Sequence, residues 1–303
     1  MLDIKKVKST NNVEVVGILS ELNIEEKITS DNRKYVQGEA TIKVDQEYKG
    51  ELTENEVVVR LFSMRNKSDG SLNKLYDNIL SMRENFTSLA AAESPENASH
   101  VSITSGQLRE SMYLNKTTNL PVTGGFQLST NFMNKAKAGE EQHATFELSG
   151  VIGDIKDEMD NNGDETGRLI VKFIVVNYNG TVDVIDLIAE EPTAVNHIRN
   201  NWETGETVCL AGVINMIKKV IETEIEQGFG KPIKKHKTVY RRELVITSGS
   251  QSGLDEEFSY DGDAIKLALD ERTSRINALS EKNKAKSKPK ASGGFSFDSS
   301  AGF

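Results

Sequence analysis

The chain has 303 residues, 37% of them hydrophobic, and its 37 basic and 46 acidic side chains give a net charge of −9. That length is typical of about two domains. A single cysteine, Cys209, excludes an internal disulfide and a cysteine-based zinc cluster. No apolar run reaches the roughly 20 residues of a membrane span, and the N-terminus lacks an apolar signal-peptide core. These features predict a cytoplasmic protein with no membrane attachment.

The chain contains an internal repeat. The segment VVGILSEL (15–22) aligns with LSGVIGDI (148–155), so that Gly17 falls on Gly150, 133 positions later. At the same displacement, the alternate residues of 36–42 fall on the alternate residues of 169–175, which is typical of strands with one buried face. The sequence therefore predicts two copies of one β-rich unit, over residues 1–138 and 139–253.

Each copy is predicted to run strand, strand, strand, helix, strand, strand. That is the order of the OB-fold, a five-stranded Greek-key barrel, and a long first strand with a central glycine suits a barrel strand that bends. Two unrelated β-sandwiches are the alternative. The predicted fold is thus mainly β: two tandem OB-fold barrels, then a C-terminal helix over 254–281. Residues 282–303 are rich in Lys, Ser and Gly and are predicted to be disordered.

Enzyme motifs are absent from the sequence. It has no GxxxxGK[ST], no GxSxG and no HExxH, and its four histidines are scattered. The acidic turn DEMDNNGDE (157–165) resembles a calcium loop, but Leu169 stands where the bidentate Glu is required. We therefore expect a protein without catalysis, metal or cofactor.

The most informative stretch is KPIKKHKTVYRR (231–242), which we interpret as the loop between the last two strands of the second copy. It holds six cations and no acidic residue in a chain of net charge −9. In an OB-fold this loop borders the binding groove, and single-stranded nucleic acid needs cations for its backbone and rings for its bases. A solvated charged loop is the alternative. The nucleic-acid-binding candidates here are Phe229, Lys231, Lys234, Lys235, Lys237, Tyr240, Arg241 and Arg242.

Further candidates lie at corresponding places in both copies. They are cations and aromatic residues near the predicted groove or on the outward side of its strands. In contrast, Trp202, Phe146 and Phe173 are predicted to lie in the cores. The candidates of the first copy are Arg33, Lys34, Tyr35, Arg60, Phe62, Tyr113 and Lys116, and those of the second are Arg168 and Lys172.

The C-terminal segment adds a basic linker, Lys282–Lys290, followed by GGFSFDSSAGF. With the two predicted barrels, this arrangement resembles the bacterial and bacteriophage single-stranded DNA-binding proteins. The resemblance implies protection of single-stranded DNA during replication, recombination and repair, in a host's cytoplasm if the source is a bacteriophage. It also implies that the tip recruits partner enzymes, although the tip is less acidic than the family's tails. RNA binding and a virion assembly role stay open. The partner-binding candidates are Phe295, Phe297, Asp298 and Phe303.

Overall fold

The computed structural model describes residues 9–48, 50–115, 117–118, 120–225 and 233–286. The fold is mainly β. No helix in these ranges is long and apolar enough to cross a membrane. In chain order the elements are β1 (Asn11–Ile28), β2 (Lys34–Tyr48), β3 (Glu51–Met64), α1 (Lys74–Asn85), β4 (His100–Leu114), β5 (Pro121–Ser129), β6 (Asn134–Lys135), β7 (His143–Met159), β8 (Glu165–Val176), β9 (Val182–Ala189), α2 (Pro192–Asn201), β10 (Thr207–Ile225), β11 (Ile233–Gly249) and α3 (Gly262–Lys286).

Strands β1 to β5 close into a barrel, which we call the first barrel. β1 pairs antiparallel with β2 and β4, and β2–β3 and β4–β5 are also antiparallel. A short parallel contact between β3 and β5 completes the ring. Strands β7 to β11 form the second barrel with the same pairings, closed by a parallel contact between β9 and β11. The predicted element order, with a helix between the third and fourth strands, is present in both.

The internal repeat is real, but its spacing changes between strands. Leu19 pairs with Ile42, and its counterpart Ile152 pairs with Phe173; a bulge follows Leu19 and Ile152 alike. The partners are thus 42 − 19 = 23 residues apart in the first barrel and 173 − 152 = 21 in the second. Equating 36–42 with 169–175 is therefore wrong by two residues. The predicted inward face survives because side-chain direction has a period of two.

Both barrels share one apolar core. Residues 11–16 of β1 pair with residues 143–148 of β7, so the two sheets are continuous. Apolar side chains of both barrels form one buried cluster, which includes Phe146, Phe173 and Trp202 as predicted. Asn55 of β3 is fully buried and bridges to β10 of the second barrel. Its amide donates to the carbonyl of Ile214 at 2.6 Å and accepts from the backbone N–H of Met216.

Helix α3 covers part of the outer face of the second barrel. Its residues Ala264, Ile265 and Ala268 pack on apolar side chains of β8 and β9. Arg272 donates to the buried Glu110 of β4, with Nε 2.7 Å from the carboxylate. The helix begins later and ends later than the predicted 254–281. The disorder predicted from residue 282 onward is therefore wrong for 282–286, where Lys and Ala favour a helix and Pro289 comes only afterwards. Residues 287–303, with the partner-binding candidates, lie outside the described residues.

We predict that the central glycines of β1 and β7 are required for stability. A Cβ at Gly17 would collide with the Lys43 carbonyl, and one at Gly150 with the Ile174 carbonyl and the Phe173 ring. Gly17→Ala and Gly150→Ala should each lower the free energy of unfolding by about 1–3 kcal/mol. Urea denaturation measures this as a lower midpoint at unchanged slope.

Gly125→Ala is the matched control, because the nearest atom to its Cβ would be the Ser111 Cβ at an ordinary 3.6 Å. If the Gly125 and Gly150 variants have equal midpoints, the backbone of β7 and β8 moves to accommodate the added methyl group and Gly150 is not required for stability.

Candidate nucleic-acid interface

An open groove of about 1200 Å³ runs across the outer face of the first barrel. Strand alternation places the odd residues of β2 and the even residues of β3 on this face, and the register sets Gln37 opposite Phe62 and Glu39 opposite Arg60. β4 and β5 continue the same surface. We call this surface the aromatic groove; its lining includes Asn23, Glu25, Gln37, Glu39, Arg60, Phe62, Ser105, Gln107, Arg109, Gln127, Ser129, Thr130, Asn131, Phe132 and Tyr178.

Three aromatic side chains in the groove face solvent. Phe62 is 53% exposed, Phe132 is 49% exposed and Tyr178 is 79% exposed. The ring of Tyr35 lies 5.7 Å from that of Phe62, at an interplanar angle of 42°. Exposed rings of this kind provide flat apolar surfaces on which nucleobases stack, at about 1–3 kcal/mol per base.

Two arginines and several amides line the groove between these rings. Arg60 donates to Gln127 at 2.7 Å and lies 3.4 Å from Glu39, while Arg109 donates to Gln107 at 2.8 Å. The Arg60–Glu39 pair is more than half exposed, and such pairs contribute only about 0–1 kcal/mol. Arg60 can therefore exchange Glu39 for a phosphate at little cost.

Tyr178 belongs to the second barrel, in the turn between β8 and β9. Asn177 fixes this turn: its amide donates to Asp183 at 3.0 Å, and its oxygen accepts from Arg109 of the first barrel. The N–H of Gly180 donates to the Asn177 carbonyl at 2.9 Å, and Gly180 takes a left-handed φ of 79°, which glycine adopts at little cost. Both barrels therefore contribute side chains to the groove. Sequence reasoning missed Tyr178 and Phe132, because neither lies in the aligned repeat segments or beside a cation cluster.

The corresponding face of the second barrel is closed by ion pairs. Counting along paired strands from Leu19 and Ile152, Arg60 corresponds to Ile188 and Phe62 to Glu190. Ile188 is buried, and Glu190 lies in a network of largely buried charges. The members of this network are Arg168, which contacts Glu158 (3.4 Å), Glu190 (3.7 Å) and Glu243 (2.9 Å), and Arg241, which contacts Glu190 (3.4 Å) and Glu243 (2.6 Å).

Tyr48, at the end of β2, caps this network. Its hydroxyl donates to Glu190 at 2.6 Å, and the Arg241 guanidinium lies over its ring. Burial and the hydrogen bond to Glu190 raise the pKa of Tyr48. The charges of Arg168 and Arg241 are therefore matched by carboxylates of the chain itself, and the geometry favours a structural role for both candidates.

The basic segment 231–242 is mostly strand. β11 begins at Ile233, so the loop interpretation is wrong from there on: residues 233–242 continue the antiparallel ladder with β10. β10 pairs with β11 as far as Ile225, whereas its pairing with β7 ends at Val213, so the two-stranded ribbon extends well past the barrel. The backbones of Lys234, Lys235, Lys237 and Tyr240 lie in the ladder, while Phe229 and Lys231 lie outside the described residues.

Arg242 reaches from β11 to the first barrel. Its guanidinium donates to the Phe126 carbonyl at 2.7 Å and lies 4.9 Å from the Phe126 ring centroid. Phe126 is itself buried. Burial lowers the pKa of Arg242, and the charge of Arg60 adds to this effect. Arg242 therefore joins the second barrel to the first at Phe126.

The remaining candidates are dispersed. Arg33 and Lys34 lie where β2 begins, outside the lining of the aromatic groove, and Arg33 pairs with Asp31 at 2.6 Å. Tyr113 is exposed near the end of β4. Lys172 is exposed on β8 opposite Asp186. Lys116 lies outside the described residues.

The chain belongs to the YorF family, whose profile matches residues 9–284. A comparison with curated proteins gave no match. Among solved structures, the chain is similar to the wild-type single-stranded DNA binding protein from Thermus aquaticus, with a TM-score of 0.47 and 10% identity over 82% of this chain and 96% of that chain. A deletion mutant of the same protein gives a TM-score of 0.45 and 10% identity over 82% and 97%. Likeness at this level does not show a shared ligand.

We predict that the exposed rings of the groove bind bases. Phe62→Ala and Tyr178→Ala should each weaken binding of oligothymidine by about 1–3 kcal/mol, because each loses a stacking surface. Fluorescence anisotropy with a labelled oligonucleotide measures the loss, and the salt dependence should stay unchanged because no cation is removed.

Phe258→Ala is the control, because Phe258 is 54% exposed but lies outside the groove. If the Phe258 variant weakens binding as much as the other two, the rings of the groove have no special role.

Proposed function

We propose that this protein binds single-stranded DNA without catalysis, in the aromatic groove of its first barrel. Each barrel is proposed to be an OB-fold, on the basis of five strands, the helix between the third and fourth, and closure by a parallel third–fifth contact. The observation that carries the function is the set of exposed rings, Phe62, Phe132 and Tyr178, lining one groove together with Arg60 and Arg109.

The mechanism is stacking combined with phosphate contact. Bases lie on the rings, which accept any base because every base has a π-face. The amides of Gln37, Gln107 and Gln127 provide donors and acceptors to whichever base edge is near. Arg60, Arg109 and Arg242 contact phosphates. This composition favours binding with little sequence preference, as protection of single strands during replication, recombination or repair requires.

The two barrels have different roles in this proposal. The first barrel binds the strand. The second barrel contributes Tyr178 to the groove, and its own equivalent face is occupied by the Arg168–Glu190 network and by α3. A single strand is therefore expected to follow one barrel rather than two.

A titration of fluorescently labelled oligothymidine tests the proposal. Full-length protein should bind in the sub-micromolar range at low salt, and duplex DNA of the same length should bind more weakly because its bases are not free to stack. Oligouridine serves as the RNA arm, since a groove that contacts the 2′-hydroxyl would prefer it. Absence of oligothymidine binding at low salt would overturn the function and favour an assembly role.

We propose that the lysines of β11 add phosphate contacts on one face of the β10–β11 ribbon. Successive strand residues lie on opposite faces, so Lys235 and Lys237 share a face and Lys234 lies on the other. Lys235→Gln/Lys237→Gln should flatten the slope of log affinity against log salt by about 1.4, at about 0.7 per phosphate. Lys234→Gln should change it little; equal slopes in the wild type and the double variant would remove this face from the interface.

We also propose that residues 293–303 recruit a partner enzyme through Phe295, Phe297 and Phe303. Deleting 293–303 should leave oligothymidine affinity intact and abolish retrieval of replication or recombination enzymes from native lysate. Retrieval of the same enzymes by the truncated protein would end the recruiting role, while the strand-binding role would stand.

A further inference from the structure

A second cavity, of about 750 Å³, lies at the end of the first barrel, where β2 begins and β3 ends. Its lining contains four cations and no carboxylate, in a chain whose net charge is −9. We call it the basic pocket; it is lined by Asn32, Arg33, Lys34, Met64, Arg65, Asn66, Lys67, Ser68, Gly70 and Leu72.

Three of the four cations have no carboxylate partner. Arg33 is paired with Asp31, but within the part of the chain that the structure describes, Lys34, Arg65 and Lys67 form no ion pair. Like charges gathered around one cavity repel one another, and an anion inside it relieves that repulsion. The charges of this pocket are therefore available to a ligand, unlike those of Arg168 and Arg241.

Backbone hydrogen bonds hold the two loops of the pocket in place. The N–H of Arg65 donates to the Lys34 carbonyl at 3.0 Å, which joins the loops to each other. In the second loop, the N–H of Lys67 donates to the Ser71 carbonyl at 2.8 Å, and Gly70 takes the left-handed φ of 83° that this tight turn needs. The cations thus stand on fixed backbone, so an anion that binds them has to order their side chains but not the loops.

The basic pocket and the aromatic groove lie along the same strands, β2 and β3. Met64, in the pocket, pairs with Tyr35, whose ring contacts Phe62 in the groove. Two residues along a strand cover about 7 Å. A base stacked on Phe62 therefore has its own or a neighbouring phosphate within reach of the pocket.

We propose that the basic pocket is a phosphate-binding site, in which Lys34, Arg65 and Lys67 hold the backbone phosphates of the strand whose bases lie in the aromatic groove. This inference rests on the proposed function for its physiological ligand. It separates two tasks within the first barrel: the groove, where Arg60 is paired with Glu39 and Arg109 with Asp183, supplies stacking, and the pocket supplies much of the salt-dependent attraction.

The test compares two triple variants of the full-length chain with equal loss of charge. Lys34→Gln/Arg65→Gln/Lys67→Gln removes the pocket cations, and Lys137→Gln/Lys156→Gln/Lys266→Gln removes three exposed cations outside the pocket and the groove. The pocket variant should flatten the salt slope of oligothymidine binding by about 2, at about 0.7 per phosphate, whereas the control should change it by less than about 0.5. Lys67→Gln alone should flatten the salt slope by about 0.7. This single variant tests the proposal if the triple variant does not fold.

A second measurement does not depend on DNA. Tripolyphosphate should raise the melting temperature of the wild type and of the control variant, and leave that of the pocket variant unchanged. If oligothymidine does not bind but this difference persists, the proposed function fails and the phosphate site stands. If oligothymidine binds and the pocket variant keeps the wild-type slope and tripolyphosphate shift, the phosphate site is wrong and the proposed function stands.

Discussion

The closure of each five-stranded ring is the constraint on which the rest of the structure depends. Once the third and fifth strands meet, every strand side chain points either into the core or to the outer face, with a period of two. The inner positions of both barrels are apolar and merge into one core. The outer positions are free to differ. One outer face of the first barrel is open to solvent, whereas the corresponding face of the second barrel is covered.

The contrast between the barrels is largest at equivalent positions. Arg60 and Phe62 face an open groove, whereas their counterpart Ile188 is buried and their counterpart Glu190 is held in ion pairs. In the second barrel, carboxylates of the chain neutralise Arg168 and Arg241, and the apolar side chains of β8 and β9 are covered by α3. A duplicated fold has thus kept its core and changed the chemistry of one face.

The contact between the two barrels helps to form the aromatic groove, because it brings Tyr178 of the second barrel to the first. The ladder between β1 and β7 brings the turn at Tyr178 against β4, where Arg109 contacts Asn177. Arg242 crosses in the same way to Phe126. Substitutions that disturb the junction, for example at the buried Asn55, would therefore affect the groove even though they lie outside it.

The sequence by itself determined the β-rich class, the duplication, the element order and the inward faces, because a period of two and a repeated glycine are local patterns. It also placed Arg33, Lys34, Tyr35, Arg60 and Phe62 together on one barrel. Only the tertiary structure decided how exposed each ion pair is: Arg168, Arg241 and Arg60 look alike in sequence, but Arg60 has the exposed partner Glu39, whereas Arg168 and Arg241 both contact the largely buried Glu190. The sequence did not show that Tyr178 lies in the groove of the other barrel either. Ion pairing, burial and the lining of a groove all depend on contacts between segments that are far apart in the chain.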